Sequence, residues 1–171
     1  MDFLNAYDYL RDARAKLFEW VRPLSQEQYT QKFSSGHGTL RGTLIHMATA
    51  EWAYTRRLKG DVSVLPQPAD RPINETRVST FADLERVWTD LAGQTRAALA
   101  GVSDWNTPLE YQAPIPGGGN VLFTVSPGEF ALQLCFHEIH HRAQAMTMLR
   151  QLGVKAESID YSVLKFKRRQ A

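Results

Sequence analysis

The chain has 171 residues, 43% hydrophobic and 22% charged, an ordinary globular composition and the size of one domain, here spanning residues 1–171. Its single cysteine, Cys135, excludes an internal disulfide and a multi-cysteine zinc module and suits a reducing compartment. Twenty basic against eighteen acidic residues leave a net charge of +2, too balanced for a dedicated nucleic-acid binder.

The opening stretch MDFLNAYDYLRDARAK lacks the apolar segment of a secretory signal. No apolar run approaches the roughly 18 residues of a membrane span. The expectation is a soluble, cytoplasmic protein without a membrane or nucleic-acid partner. Phe3, Tyr7, Leu10, Leu17 and Val21 recur at helical spacing with charged Arg11, Asp12, Arg14 and Lys16 between them, which predicts an amphipathic first helix ending before Pro23. Ser25 followed by Gln28 can cap a short turn. Ser34 to Gly38 reads as a loop, and a second long helix should run from Thr39 to Arg57, closed by Gly60.

Residues 60–79, with Pro66, Pro68 and Pro72, suit an extended surface crossover that lets two helices run parallel. Thr80 with Asp83 caps a third long helix carrying Phe81, Leu84, Val87, Trp88, Leu91, Ala98 and Leu99 and ending near Val102. The stretch from Asp104 to Val125, with Pro114, Pro116 and three successive glycines, suggests a long irregular loop or a short hairpin. Ser126-Pro127-Gly128-Glu129 combines a Ser cap, a proline at the first helical position and a returning Glu, and opens a fourth long helix to about Leu152. An ordered arm through Ile159, Tyr161, Leu164 and Phe166 follows, then a solvated basic end, Lys167-Arg168-Arg169. The fold class is therefore all-α: a four-helix bundle with a long crossover between its second and third helices. Such bundles place metal sites among inward-facing side chains.

Three histidines fall within five residues, His137-Glu138-Ile139-His140-His141. Residues four apart lie one above the other on a helix, so His137 and His141 can direct two imidazoles to one point. His140, three residues from His137, could substitute, and spacing leaves that choice open. Catalytic zinc-like ions usually take three protein ligands and keep one position for water or substrate. His46 supplies the third: Gly42, Thr43, Thr49, Ala50 and Ala53 share its helix face, and a histidine projecting from small residues leaves a hollow beside it. A lone helical histidine such as His46 is more often a hydrogen-bonded core or surface residue than a ligand. His37, in a glycine-flanked loop, is expected to be exposed and is left out of the ligand set. Trp52, Trp88, Met47 and Met148 are read as core packing, and Cys135 as a small buried residue facing away from His137.

HEIHH also satisfies the short pattern H-E-x-x-H, two zinc ligands with a Glu base. No histidine follows His141, and only Glu157 and Asp160 remain as carboxylates, so a peptidase is a minor reading.

Three segments resemble the DinB-like family of metal-binding four-helix bundles, which includes YfiT-type thiol transferases. They are Gly38-Thr39-Leu40-Arg41-Gly42-Thr43-Leu44-Ile45-His46-Met47 through Glu51, His137-Glu138-Ile139-His140-His141-Arg142-Ala143-Gln144, and Ile159-Asp160-Tyr161. Where the family often has Gly before the Gln, this chain has Ala143. The resemblance implies a three-histidine divalent metal site on His46, His137 and His141, with His140 a neighbour, and a homodimer. It also implies action through low-molecular-weight thiols such as bacillithiol, mycothiol or glutathione.

An ion held by three neutral imidazoles keeps its charge and favours the thiolate of an entering thiol. The expectation is therefore a Zn²⁺- or Ni²⁺-dependent enzyme that activates a small thiol for transfer or a water for hydrolysis. Its rival is a non-enzymatic stress or interaction protein in which metal only pins two helices and a fourth protein ligand closes the site. Glu138 and Gln144 are expected to hydrogen-bond the ligand imidazoles. Arg142 and the basic tail could hold an anionic thiol but read more simply as solvated charges.

Overall fold

The structure, a computed structural model, describes residues 2–114, 117–167 and 169; Pro116 and Arg168 lie outside the described residues. Helix α1 spans Phe3–Val21, capped by the Asp2 carboxylate accepting the Asn5 amide at 3.0 Å. A single turn, α2 (Gln26–Thr30), precedes α3 (Leu40–Leu58), whose cap is Thr39. The crossover carries one 3₁₀ turn at Pro68–Asp70 and leads to α4 (Phe81–Ala100). Strands β1 (Leu109–Pro114) and β2 (Asn120–Val125) form an antiparallel hairpin, and α5 (Pro127–Gln151) and a short α6 (Tyr161–Lys165) close the chain.

The punctuation read from the sequence acts as written. Ser25, Thr80 and Ser126 each accept the amide three residues on, and the side chains of Gln28, Asp83 and Glu129 return a bond to the cap, giving three capping boxes. The 104–125 stretch is a hairpin rather than an irregular loop. Its register pairs Tyr111 with Phe123, whose rings stack at 5.3 Å, and Tyr111 also meets Phe130 of α5 at 5.6 Å, which seats the hairpin on the bundle.

Helix α1 packs against α4 and α5, and α3 packs against the same two, so α1 and α3 face each other across the bundle diagonal. The core between them is filled by Leu10, Leu17, Leu44, Leu84, Trp88, Leu99, Met148 and Leu149. No helix among the described residues is long and apolar enough to cross a membrane.

The centre of that diagonal is charged. Arg14, grouped by the sequence with the charged positions of the first helix, is only 4% exposed and donates to Glu51 of α3 at 2.6 Å and to Glu138 of α5. Tyr7, Trp88 (2.7 Å) and Thr95 (2.8 Å) also donate to Glu51. Burial disfavours the guanidinium charge, but Glu138 and Glu51 outweigh it and hold Arg14 protonated. Its guanidinium also lies 4.3 Å over the Trp88 ring. Arg142, read as a solvated charge, is buried as well: it donates to the Tyr9 hydroxyl at 2.6 Å and pairs with Glu138 at 3.7 Å. Lys167 and Arg169 of the tail are exposed, as expected.

The crossover is tied down by side chains of α3. Thr49 donates to Ile73 O at 3.0 Å, and Arg57 donates to Asp61 O at 2.5 Å and to Ser63 O at 2.9 Å. Ile73 and Val78 are buried beneath it. The space beside α3 is therefore walled on one side by the crossover and on the other by the hairpin.

Candidate metal centre

The α3–α5 packing brings His46 to face His137 and His141. Their Nε2 atoms set the register: His46 Nε2 lies 2.9 Å from His137 Nε2. The ring centres of His46 and His137 are 4.8 Å apart, those of His46 and His141 4.6 Å, and those of His137 and His141 4.4 Å. The three expected imidazoles, His137 and His141 from their spacing and His46 from its small neighbours, thus form one cluster, half-buried at the rim of the bundle.

A fourth imidazole joins them. His37 is exposed, as its loop position suggested, yet its ring stacks on His46 at 3.8 Å with planes 27° apart and lies 5.3 Å from His141. One nitrogen each of His37, His46 and His141 lie within 4.8 Å of one another. The loop is held from below. Phe33 N donates to Gly38 O at 2.8 Å, and His37 N donates to Thr43 Oγ1 at 3.2 Å. Gly38 adopts φ +78°, a left-handed conformation that favours glycine. Gly42 is glycine for space: a Cβ there would stand 2.9 Å from His37 O.

His140 is exposed and its ring meets only His141 among the four other histidines. Gln144 bridges the two, its Oε1 2.8 Å from His141 Nδ1 and its Nε2 3.0 Å from His140 Nε2. With the Nδ1–H of His141 donated to Gln144, its Nε2 lone pair is left for the cluster. Glu138 does not share this role: its carboxylate turns into the core toward Arg14, so it neither orients an imidazole nor reaches a water at the histidines as a general base. Cys135 is half-buried on the other side of α5, and burial pushes its thiol up to about 11.

Burial, reinforced by the neighbouring imidazoles, lowers His46 to about 3 and His137 to about 4, and lowers His37 as well. Among the described residues no carboxylate bonds any of these rings, so nothing stabilises imidazolium there. At neutral pH His37, His46 and His137 present uncharged donors, the form a metal requires.

The stripe of small residues leaves the expected hollow. A cavity of about 390 Å³ lies between Gly42, His46 and Thr49 and the crossover. A second, of about 260 Å³, lies beneath the hairpin, lined by His46, His137, Ala50, Ala53, Arg57 and Tyr111 among others. The sequence left His37 out of the ligand set, although the flanking Gly36 and Gly38 signalled a shaped turn, and it gave no role to Arg57, which lines the second cavity.

The chain is 22% identical to Protein DinB of Bacillus subtilis over 161 residues, covering 94% of this chain and 91% of that protein. It superposes on a crystal structure of a DinB-like protein from Bacillus cereus with a TM-score of 0.62 at 19% identity, covering 91% of this chain and 94% of the other. The profile of the DinB family matches residues 1–170, end to end across the helices that carry the histidine cluster, and the chain belongs to that family.

Proposed function

We propose that this protein binds one divalent ion, Zn²⁺ or Ni²⁺, through Nε2 of His46, His137 and His141, and uses a position left open toward the adjoining cavities to activate a small thiol. The donor set fits such an ion. Two imidazole nitrogens held about 2.0–2.1 Å from one ion stand about 2.9 Å apart at a right angle and about 3.3 Å apart in a tetrahedron. The 2.9 Å between His46 and His137 is that separation. Ring centres of such a pair stand about 4.5–5.2 Å apart; the 4.8 and 4.6 Å from His46 to His137 and His141 fall in that range, and the 4.4 Å between His137 and His141 falls just short of it.

The observation that carries the reading is this convergence of three imidazoles from two helices beside a hollow. Bound there, an ion would supply Lewis acidity, favouring the thiolate of an entering thiol or the hydroxide of a water. The protein's own residues do the rest. Gln144 fixes the His141 tautomer, and Arg14, by anchoring Glu138, fixes the rotation of α5 that points His137 outward. Thr49, Ala50 and Ala53 keep the approach clear. Hydrolysis through a water is the alternative use of the same position.

A second reading rests on His37. Its nitrogen lies within 4.8 Å of those of His46 and His141, a group that does not include His137, so its imidazole as a further ligand would close the open position and make the ion purely structural. X-ray absorption of the zinc-loaded protein, purified without a nickel column, separates the two: three imidazoles support the open site, four the closed one. Stoichiometric metal surviving in His46→Ala, His137→Ala and His141→Ala alike would refute the ligand set. Turnover of an electrophile accelerated by bacillithiol, mycothiol or glutathione supports the thiol role, and thiol-independent turnover of an ester supports hydrolysis. A homodimer is proposed with it, on the exposed Phe136 and Ile139 side by side on α5 (61% and 43% exposed), to be checked by light scattering.

A further inference from the structure

Arg57 is the exception among the buried arginines. Arg14 and Arg142 each face glutamate, whereas Arg57, only 2% exposed, has no carboxylate within ion-pair distance among the described residues. The nearest acid, Asp61, is taken by Arg56 at 2.5 Å and by Ser63. One nitrogen of Arg57, Nη1, is spent on the carbonyls of Asp61 and Ser63. The other, Nη2, is buried without a partner. The guanidinium lies 4.4 Å over the Tyr111 ring, which fixes its plane. Burial lowers its pKa, the direction of a cation lacking an anion.

A buried charge without a counter-charge is costly, and a partner anion relieves that cost. Arg57 lines the 260 Å³ cavity beneath the hairpin, and Arg71, whose Nε donates to Pro66 O at 3.2 Å, sits on the same cavity. The remaining walls include Ala50, Ala53, Leu65 and Phe130, and His46 and His137 stand in the same lining.

We infer that this cavity takes a small organic carboxylate, its anion on Nη2 of Arg57 and its apolar stem along Ala50 and Ala53. A carboxylate suits the site better than a phosphate dianion, since one buried nitrogen is free and the walls are apolar. Bound this way, the acid directs its other end at His46 and His137. That orientation toward a reacting centre rests on the proposed metal site; the anion site itself does not.

The test uses the full chain stripped of metal. Butanoate, butanamide and inorganic phosphate are titrated, with the Arg57 side-chain N–H and the Ala50 and Ala53 methyl signals followed by NMR. Butanoate should bind saturably and at least tenfold more tightly than butanamide or phosphate. Arg57→Gln should abolish that preference, and Ala53→Leu, which fills the cavity and leaves Arg57 in place, should abolish butanoate binding. Equal affinity for acid and amide, tighter binding of phosphate, or no saturable butanoate binding overturns the proposal. If Arg57→Gln fails to fold, butanoate binding that survives Ala53→Leu overturns it instead. Because no step needs metal, loss of the acid preference sinks only this inference, and unchanged zinc content in the histidine variants sinks only the metal reading.

Discussion

The backbone N–H of His37 donates to the hydroxyl of Thr43 at 3.2 Å, so an exposed loop histidine is positioned by a buried threonine of α3. Thr43→Val removes that acceptor at a cost of about 1 kcal/mol and should release the His37 ring from His46. Zinc affinity should stay within about threefold of wild type if His37 is no ligand. Zinc competition against a chromophoric chelator measures it; a loss as large as that of His46→Ala would favour the closed site.

Gly42→Ala tests the same loop by crowding. The added methyl meets the His37 carbonyl at 2.9 Å, and backbone must shift to admit it. The expected destabilisation is about 1–3 kcal/mol, with the His37 amide resonance displaced. Urea denaturation alongside an NMR spectrum reads both effects.

Gln144→Leu leaves the Nδ1–H of His141 without its acceptor. Removing such a supporting bond typically costs about 10–100-fold in metal affinity. Chelator competition should show that drop while the thermal midpoint of the metal-free protein is unchanged.

Arg14→Met should be the most damaging of these changes. It strips the shared cation from Glu51 and Glu138, both buried, and the expected loss is about 3–5 kcal/mol. The triple variant Arg14→Met, Glu51→Gln, Glu138→Gln should recover part of that loss, because it leaves no unpaired carboxylate. Urea midpoints of the two variants decide it.

Acid should weaken the metal-free fold through the histidines. An unfolded histidine titrates near 6.5, whereas folded His46 and His137 titrate near 3 and 4. Between these values the unfolded chain binds more protons, so stability is intact above pH 6.5 and is lost as pH falls through 4 toward 3. His46→Ala and His137→Ala should each flatten that dependence in urea titrations run with chelator present.

The fold was legible because its signals are local. Ser25, Thr80 and Ser126 each announce a helix within four residues, and helical geometry allows His137 and His141 to meet, while the choice of His141 over His140 came from the family resemblance. His46 was readable from the small residues around it. Arg14 was not, since its counter-charges lie 37 and 124 residues away and its neighbours Arg11, Asp12 and Lys16 look equally polar. Arg142 failed differently: its acid, Glu138, lies one turn back on the same helix, but the Tyr9 hydroxyl that receives it in the core is 133 residues away. His37 was hidden because a loop has no period from which to infer a direction.

Adjacent residues on α5 serve opposite ends of the molecule: His137 turns to the rim and Glu138 to the charged centre. The rotational setting of that helix is thus shared property of two systems, and neither can be retuned alone. The second cavity is under no such constraint on the side of the crossover, since Leu65 and Arg71 line it from a segment that belongs to neither system.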